Sequence, residues 1–187
     1  MHTNVLSSVA LAIAAVLVLA AILSAPTHPA GNVALAAQFN YLSASGNSSC
    51  STSFAESIDA MSDTDRLRGS CCSPMSMHRY FEQVEGLKKY KDITEIPPDP
   101  YDIPASLAKK LKAYYEIELT PEEQEAYAYA MANSHEKGPC CCKCWRWYVY
   151  GGLGKLLIQK YGFTGEQVTE VWNLSDGCGG SGEHVTH

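Results

Sequence analysis

The stretch Gly138-Pro139-Cys140-Cys141-Cys142-Lys143-Cys144-Trp145-Arg146-Trp147-Tyr148-Val149 carries two signals at once. Its first half sets four sulfurs and a cation within five residues, a density that core packing does not require. One cysteine serves well as a small buried hydrophobe, but adjacent cysteines point in different directions and cannot all share one core. Its second half opens a helical repeat. Trp145, Tyr148, Val149, Leu153, Leu156 and Leu157 recur at spacings of three and four, which predicts a helix that begins within the cluster and ends near Tyr161. Thiols at a helix amino terminus are favoured as thiolates by the macrodipole, and Lys143 and Arg146 push the same way. Gly151, Gly152 and Gly154 weaken such a helix and mark a kink or a close helix contact. The aromatics Trp145, Trp147, Tyr148 and Tyr150 are read as core.

Working outward, further helices follow from caps and spacing. Ser73 and Pro74 form an N-cap and first helical residue for a segment reaching about Tyr90, with Tyr80, Phe81, Val84 and Leu87 on one side. The proline-rich run from Ile96 to Pro104 excludes helix. A helix from about Pro104 to Ile117 carries Leu107, Leu111 and Tyr114. Thr120-Pro121-Glu122-Glu123 joins a cap, a first-turn proline and a capping-box glutamate, opening a helix to about Asn133. Thr164 with Gln167 repeats that pattern ahead of Val168, Val171 and Trp172. No run alternates as a strand does, so the expected fold is an all-α domain of four to five helices around a cysteine cluster.

The chain holds eight cysteines: Cys50, Cys71, Cys72, Cys140, Cys141, Cys142, Cys144 and Cys178. All but Cys50 fall between positions 71 and 178, which marks the functional domain. The segment Cys71-Cys72-Ser73-Pro74-Met75-Ser76-Met77-His78 adds thioether and imidazole to thiolate, donor types that Cu(I) accepts and of which thioether suits Zn(II) poorly. The candidate metal ligands are therefore Cys140, Cys142, Cys144, Cys141, Cys71, Cys72, Cys178, His78, Met75 and Met77, for a copper or zinc ion. Copper is favoured. Zinc becomes the better choice where four thiolates close a tetrahedron, such as Cys72, Cys140, Cys144 and Cys178. Cys178 lies in the flexible turn Asp176-Gly177-Cys178-Gly179-Gly180, able to bring its sulfur to the cluster. Cys71 or Cys72 and Cys178 are expected to meet the 140–144 cluster in space, because one short segment cannot close a coordination shell alone.

The amino terminus points to export. Val5 to Leu23 are apolar apart from Ser7 and Ser8, close to the length of about 20 residues that spans a hydrocarbon core, and no charged side chain precedes Glu56. Residues 1–24 are read as a signal peptide or an uncleaved membrane anchor helix, residues 25–63 as a flexible tether rich in Ser, Ala, Gly and Asn, 64–180 as the helical cysteine-rich domain and 181–187 as a flexible tail. His184 and His187 in that tail are incidental. The domain is placed outside the cytoplasm, anchored through the amino-terminal helix or secreted. A net charge of −6 argues against nucleic acid as a partner. The sequence names no protein partner.

Glu125-Ala126-Tyr127-Ala128-Tyr129-Ala130 followed by Gly138-Pro139-Cys140-Cys141-Cys142-Lys143-Cys144 resembles the signature of the bacterial PCYCGC-motif proteins, in which a helix with an Ala-Tyr pair precedes Pro-Cys-Tyr-Cys-Gly-Cys. Cys140, Cys142 and Cys144 match the motif cysteines, while Cys141 and Lys143 replace its Tyr and Gly. The match spans about 20 residues. It implies an exported, membrane-attached, cysteine-rich envelope protein linked to metal or redox chemistry.

Three classes of function compete. A protein that binds a soft metal for sequestration, transfer or homeostasis explains the clustered sulfurs, the basic neighbours and the Met and His supplement together. A disulfide-stapled interaction domain explains export and small size, with 105 possible pairings for eight cysteines. A thiol redox protein ranks third, because Cys141 to Cys144 is formally C-x-x-C but lacks the βαβ context of that chemistry. No phosphate loop, triad or carboxylate pair marks an enzyme.

Overall fold

The computed structural model describes residues 29–179. The apolar span Val5–Leu23 and the 181–187 tail, with His184 and His187, lie outside them, and no helix among the described residues is long and apolar enough to cross a membrane. The chain divides into two compact units, residues 1–34 and 35–187. The first is represented only by residues 29–34, the opening turns of helix α1 (Pro29–Ala44).

The second unit is mostly helical. After α1 come α2 (Thr52–Ser57), α3 (Met77–Leu87), α4 (Ala105–Tyr115), α5 (Pro121–Asn133), α6 (Trp145–Tyr161) and α7 (Gly165–Ser175). Two strands, β1 (Arg66–Arg68) and β2 (Asp102–Pro104), pair antiparallel with Leu67 opposite Ile103. This small ladder corrects the all-α expectation. Three residues are too few to show an alternating pattern, and the pairing is held by tertiary contacts: Leu67 and Ile103 are fully buried, and Arg66 donates to Asp102 across the strands.

The tether is also revised. Part of the 25–63 stretch is helical, and Leu42 and Ile58 have no solvent exposure. Leu35, Phe39 and Leu42 recur at helical spacing, and they pack with Tyr80 and Tyr101 in a small satellite core. The Ser-rich composition hid this short apolar stripe.

Cap chemistry placed two helices well. Thr120 with Glu123 and Thr164 with Gln167 both form reciprocal capping boxes at the starts of α5 and α7. At α3 the start moves from Pro74 to Met77, because Ser76 rather than Ser73 accepts the amide hydrogen bond from Arg79. The Ser73 amide and hydroxyl are instead engaged with the carbonyl of Cys178.

Helix α6 is the axis of the core, buried almost all round, as expected of a helix apolar on every face. Its glycines are close contacts. A β-carbon on Gly152 would stand 1.8 Å from the Leu111 carbonyl oxygen of α4, and one on Gly154 would meet the Trp172 ring of α7. Tyr127 of α5 sets its ring edge-on to Trp172 at 5.4 Å, completing a layer of α4, α6, α7 and α5.

Glu95, in the loop before β2, ties this layer together. Its buried carboxylate accepts from Lys110 of α4 at 3.1 Å, and from Lys160 and Tyr161 of α6, both at 2.7 Å. Lys160, opposed by burial and aided by Tyr161 and Lys110, lowers its pKa from the ordinary 4.5 to about 2. A depressed carboxylate contributes stability above its unfolded pKa and loses it as pH falls through the folded one. Glu95→Gln should therefore cost on the order of 2 kcal/mol near neutral pH, after allowance for the solvent-exposed lysines. The gap to the parent should shrink as pH falls from about 4.5 to about 2. Denaturant titrations at the two ends of that window check both the size and the direction.

Candidate metal centre

Four segments of chain converge on the start of α6. The first is the loop 134–144, which ends with Cys144 as the N-cap of α6. The second is the Ser70–Ser73 segment after β1, held by bonds from the Cys71 amide to the Gly177 carbonyl at 3.2 Å and from the Ser73 amide to the Cys178 carbonyl at 2.9 Å. These same bonds fix the third segment, the turn after α7, where Asp176 accepts from the Cys178 amide at 3.0 Å. The fourth is the 47–50 link between α1 and α2. Asn47 bonds both the Arg66 carbonyl and the Arg68 amide, and Ser48 accepts from the Trp145 indole at 3.0 Å.

All eight sulfurs consequently form one continuous patch. The Cys140 sulfur is 3.6 Å from that of Cys144 and 3.2 Å from Cys178, Cys141 is 3.1 Å from Cys178, Cys71 is 3.7 Å from Cys72, and Cys142 is 3.8 Å from Cys50. These distances far exceed the roughly 2.05 Å of a disulfide. They run from 3.1 to 3.8 Å, reaching at their upper end the separation of roughly 3.8 Å between two sulfurs bound about 2.3 Å from one metal in tetrahedral geometry. Five sets of three sulfurs lie mutually within 4.8 Å: Cys50, Cys142 and Cys144; Cys50, Cys71 and Cys72; Cys71, Cys140 and Cys178; Cys72, Cys141 and Cys178; and Cys140, Cys141 and Cys142. Every sulfur has at least three others within that distance.

The expected meeting of Cys71, Cys72 and Cys178 with the cluster is thus what the fold produces. Cys50 is the residue that sequence reasoning left out. It sits in the stretch read as tether, and the available signal was the even cysteine count. His78 belongs to none of the five sets; it is strongly exposed and pairs with Glu82 on α3 at 3.1 Å. Met77 is exposed, while Met75 packs on the satellite core and accepts from Ser43.

The electrostatics differ from the expectation of general thiolate activation at a helix start. Cys71 is held well below the ordinary thiol range by hydrogen bonds from Cys140, Cys144 and Cys178, with Arg146 assisting against the effect of burial. The Cys140 thiol is correspondingly pushed up by its bonds to Cys144, Cys178 and Cys71, and then by burial. Cys144 is pushed up to about 12: its bond with Cys140 acts downward, but Cys71 and burial outweigh it. Burial raises Cys72 to about 12 and also raises Cys141. At Cys142 burial is outweighed by the contacts with Cys144 and Cys50, and the thiol is lowered. The negative charge collects at particular sulfurs because close thiols share protons and cannot all ionise at once.

Arg146 supplies the positive side of this balance. It is 1 % exposed, donates to the carbonyls of Pro100 at 2.7 Å and Gly69 at 3.1 Å, and lies 4.5 Å from the Trp145 ring centroid. Its Nε has no hydrogen-bond partner, and among the described residues no carboxylate forms an ion pair with it. A β-carbon on Gly177 would stand 2.1 Å from its guanidinium carbon, so only glycine admits the charge there. A buried cation that makes no ion pair acts on the charges around it, and here its field favours the thiolate of Cys71 as well as the carboxylate of Asp99. Lys143, by contrast, is directed over the Trp147 ring at 5.7 Å.

The arrangement defines a class: a helical, cysteine-rich protein whose sulfur patch could hold a metal ion. Compared with family models, curated proteins and solved structures, the chain matches none.

Proposed function

We propose that this protein binds a soft metal ion for sequestration or transfer outside the cytoplasm, with Cu(I) the preferred ion and Zn(II) the second. The observation that carries the reading is the convergence of eight sulfurs from four segments. A pairwise disulfide scheme uses one partner per sulfur, whereas here each has three or more close neighbours. The preference for copper rests on the number of donors. Each set holds three sulfurs and none holds four, which suits a trigonal Cu(I) ion better than the closed tetrahedron of a structural zinc site. His78, Met75 and Met77 are not needed for it. The apolar start of the chain supports export.

The test is to purify the full chain without reductant, count its free thiols and measure its metal content by mass spectrometry, then repeat with Cys140, Cys142 and Cys144 all changed to Ser. The parent should show bound metal and the triple variant should hold clearly less, because three of the five three-sulfur sets lose members while Cys50, Cys71, Cys72 and Cys72, Cys141, Cys178 stay intact. Equal metal content in the two proteins would overturn the assignment, and a parent without free thiols or metal would favour the stapled interaction domain.

A further inference from the structure

We infer that the eight sulfurs act as one polynuclear site, in which bridging thiolates hold several Cu(I) ions at once. This rests on the metal-binding reading and goes beyond it in nuclearity. The first argument is geometric. Seven of the eight sulfurs, all but Cys144, belong to two of the three-sulfur sets, so each is placed to bridge two ions. A single ion takes at most four ligands in the geometries thiolates favour, and would leave half of the patch as close-packed unligated thiols.

The second argument is charge. Each thiol that becomes a ligand releases its proton, and the metal remains Cu(I) throughout, so no oxidant or reductant enters the balance. A fully deprotonated set around one monovalent ion would crowd nearly as many negative charges as there are sulfurs into one patch, three of them on the buried Cys140, Cys144 and Cys178. Arg146 is the buried cation available to offset them, and it offsets one. Every additional Cu(I) removes a further charge from the crowded and partly buried cluster, which makes filling several positions more favourable than filling one.

The sets also predict how capacity divides. Cys50, Cys142 and Cys144 form one set, and Cys71, Cys140 and Cys178 another, with no sulfur in common. Each of the remaining three sets holds Cys72, Cys141 or both, and these two are exposed. Changing Cys72 and Cys141 to Ser therefore removes a member from each of the three sets that join the two inner ones, while leaving each inner set intact and in contact through Cys140 and Cys144 at 3.6 Å.

The experiment is a titration of the reduced full chain with Cu(I), delivered from a competing Cu(I) chelator, read by native mass spectrometry. The parent should pass to forms carrying three or more ions per chain without accumulating the one-copper form, up to about five, one per set. The Cys72→Ser, Cys141→Ser variant should retain about two ions, bound one after the other, with an unchanged helical circular dichroism spectrum. A parent that saturates at one ion, with the double variant doing the same, would overturn the polynuclear site and leave the metal-binding reading standing. A reduced parent that binds no Cu(I) would overturn both.

Discussion

Gly152→Ala is expected to destabilise the protein by about 3 kcal/mol or more, the upper end of what overpacking costs. The β-carbon would meet backbone rather than a side chain able to turn away: the Leu111 carbonyl oxygen at 1.8 Å, its carbon at 2.8 Å and the Tyr115 amide nitrogen at 2.9 Å. Relief requires α4 and α6 to move apart. That separation would pull on the Glu95 anchors at Lys110 and Lys160 and open the packing around Leu111, Val149 and Leu153, all fully buried. Alanine is otherwise the better helix former by about 1 kcal/mol, so a neutral or stabilising outcome would show that the helices approach less closely than described. Denaturant titration of both proteins decides it. Gly162→Ala is a useful contrast, because its β-carbon would meet nothing within 4 Å and any cost there comes from the left-handed backbone at φ 65°.

Replacing Arg146 with Met is expected to act on stability and on the sulfurs together. The side chain fills a site that admits no water-facing escape, and its removal leaves the Pro100 and Gly69 carbonyls without their donors. Loss of one member of a buried charge arrangement costs on the order of 3 to 5 kcal/mol when the other member stays charged. Here the other member is the thiolate favoured at Cys71, whose lowered pKa comes from Cys140, Cys144 and Cys178 with Arg146 assisting. In the variant the Cys71 pKa should rise. Ultraviolet thiolate absorbance of the metal-free protein should then appear at higher pH than in the parent, and Cu(I) affinity should fall at least tenfold. Arg146→Lys keeps the charge but loses the fork that reaches two carbonyls, so it should restore thiolate absorbance more fully than stability. Identical titration curves for the parent and the Met variant would remove Arg146 from any electrostatic role and leave it a packing residue.

The metal-binding reading and the fold were legible in the sequence to different depths. The capping boxes at Thr120 and Thr164 are local: a hydroxyl, a carboxylate or amide three residues on, and the intervening backbone suffice to start a helix, and both were readable. The cysteine density at 140–144 was equally local, and so was the apolar repeat from Trp145 to Leu157. By contrast, β1 and β2 are three-residue strands whose pairing depends on segments 36 residues apart, and no periodicity can show that in so short a run. The start of α3 turned on whether Ser73 or Ser76 was free to cap. That was decided by Cys178, far along the chain, which engages Ser73.

The site divides in the same way. Composition and spacing alone marked a cysteine cluster at 140–144, made Cys71, Cys72 and Cys178 candidates to join it, and gave a mostly helical domain around it. Only the tertiary structure brought in Cys50, by folding a Ser-rich stretch against Trp145 and β1 through Asn47 and Ser48. It alone set His78 with Glu82, away from the sulfurs, and made Arg146 rather than Lys143 the buried cation. The reason is physical: a residue type limits which ligands and charges are possible, whereas its effective charge and its neighbours depend on burial and on segments that meet only when the chain has folded.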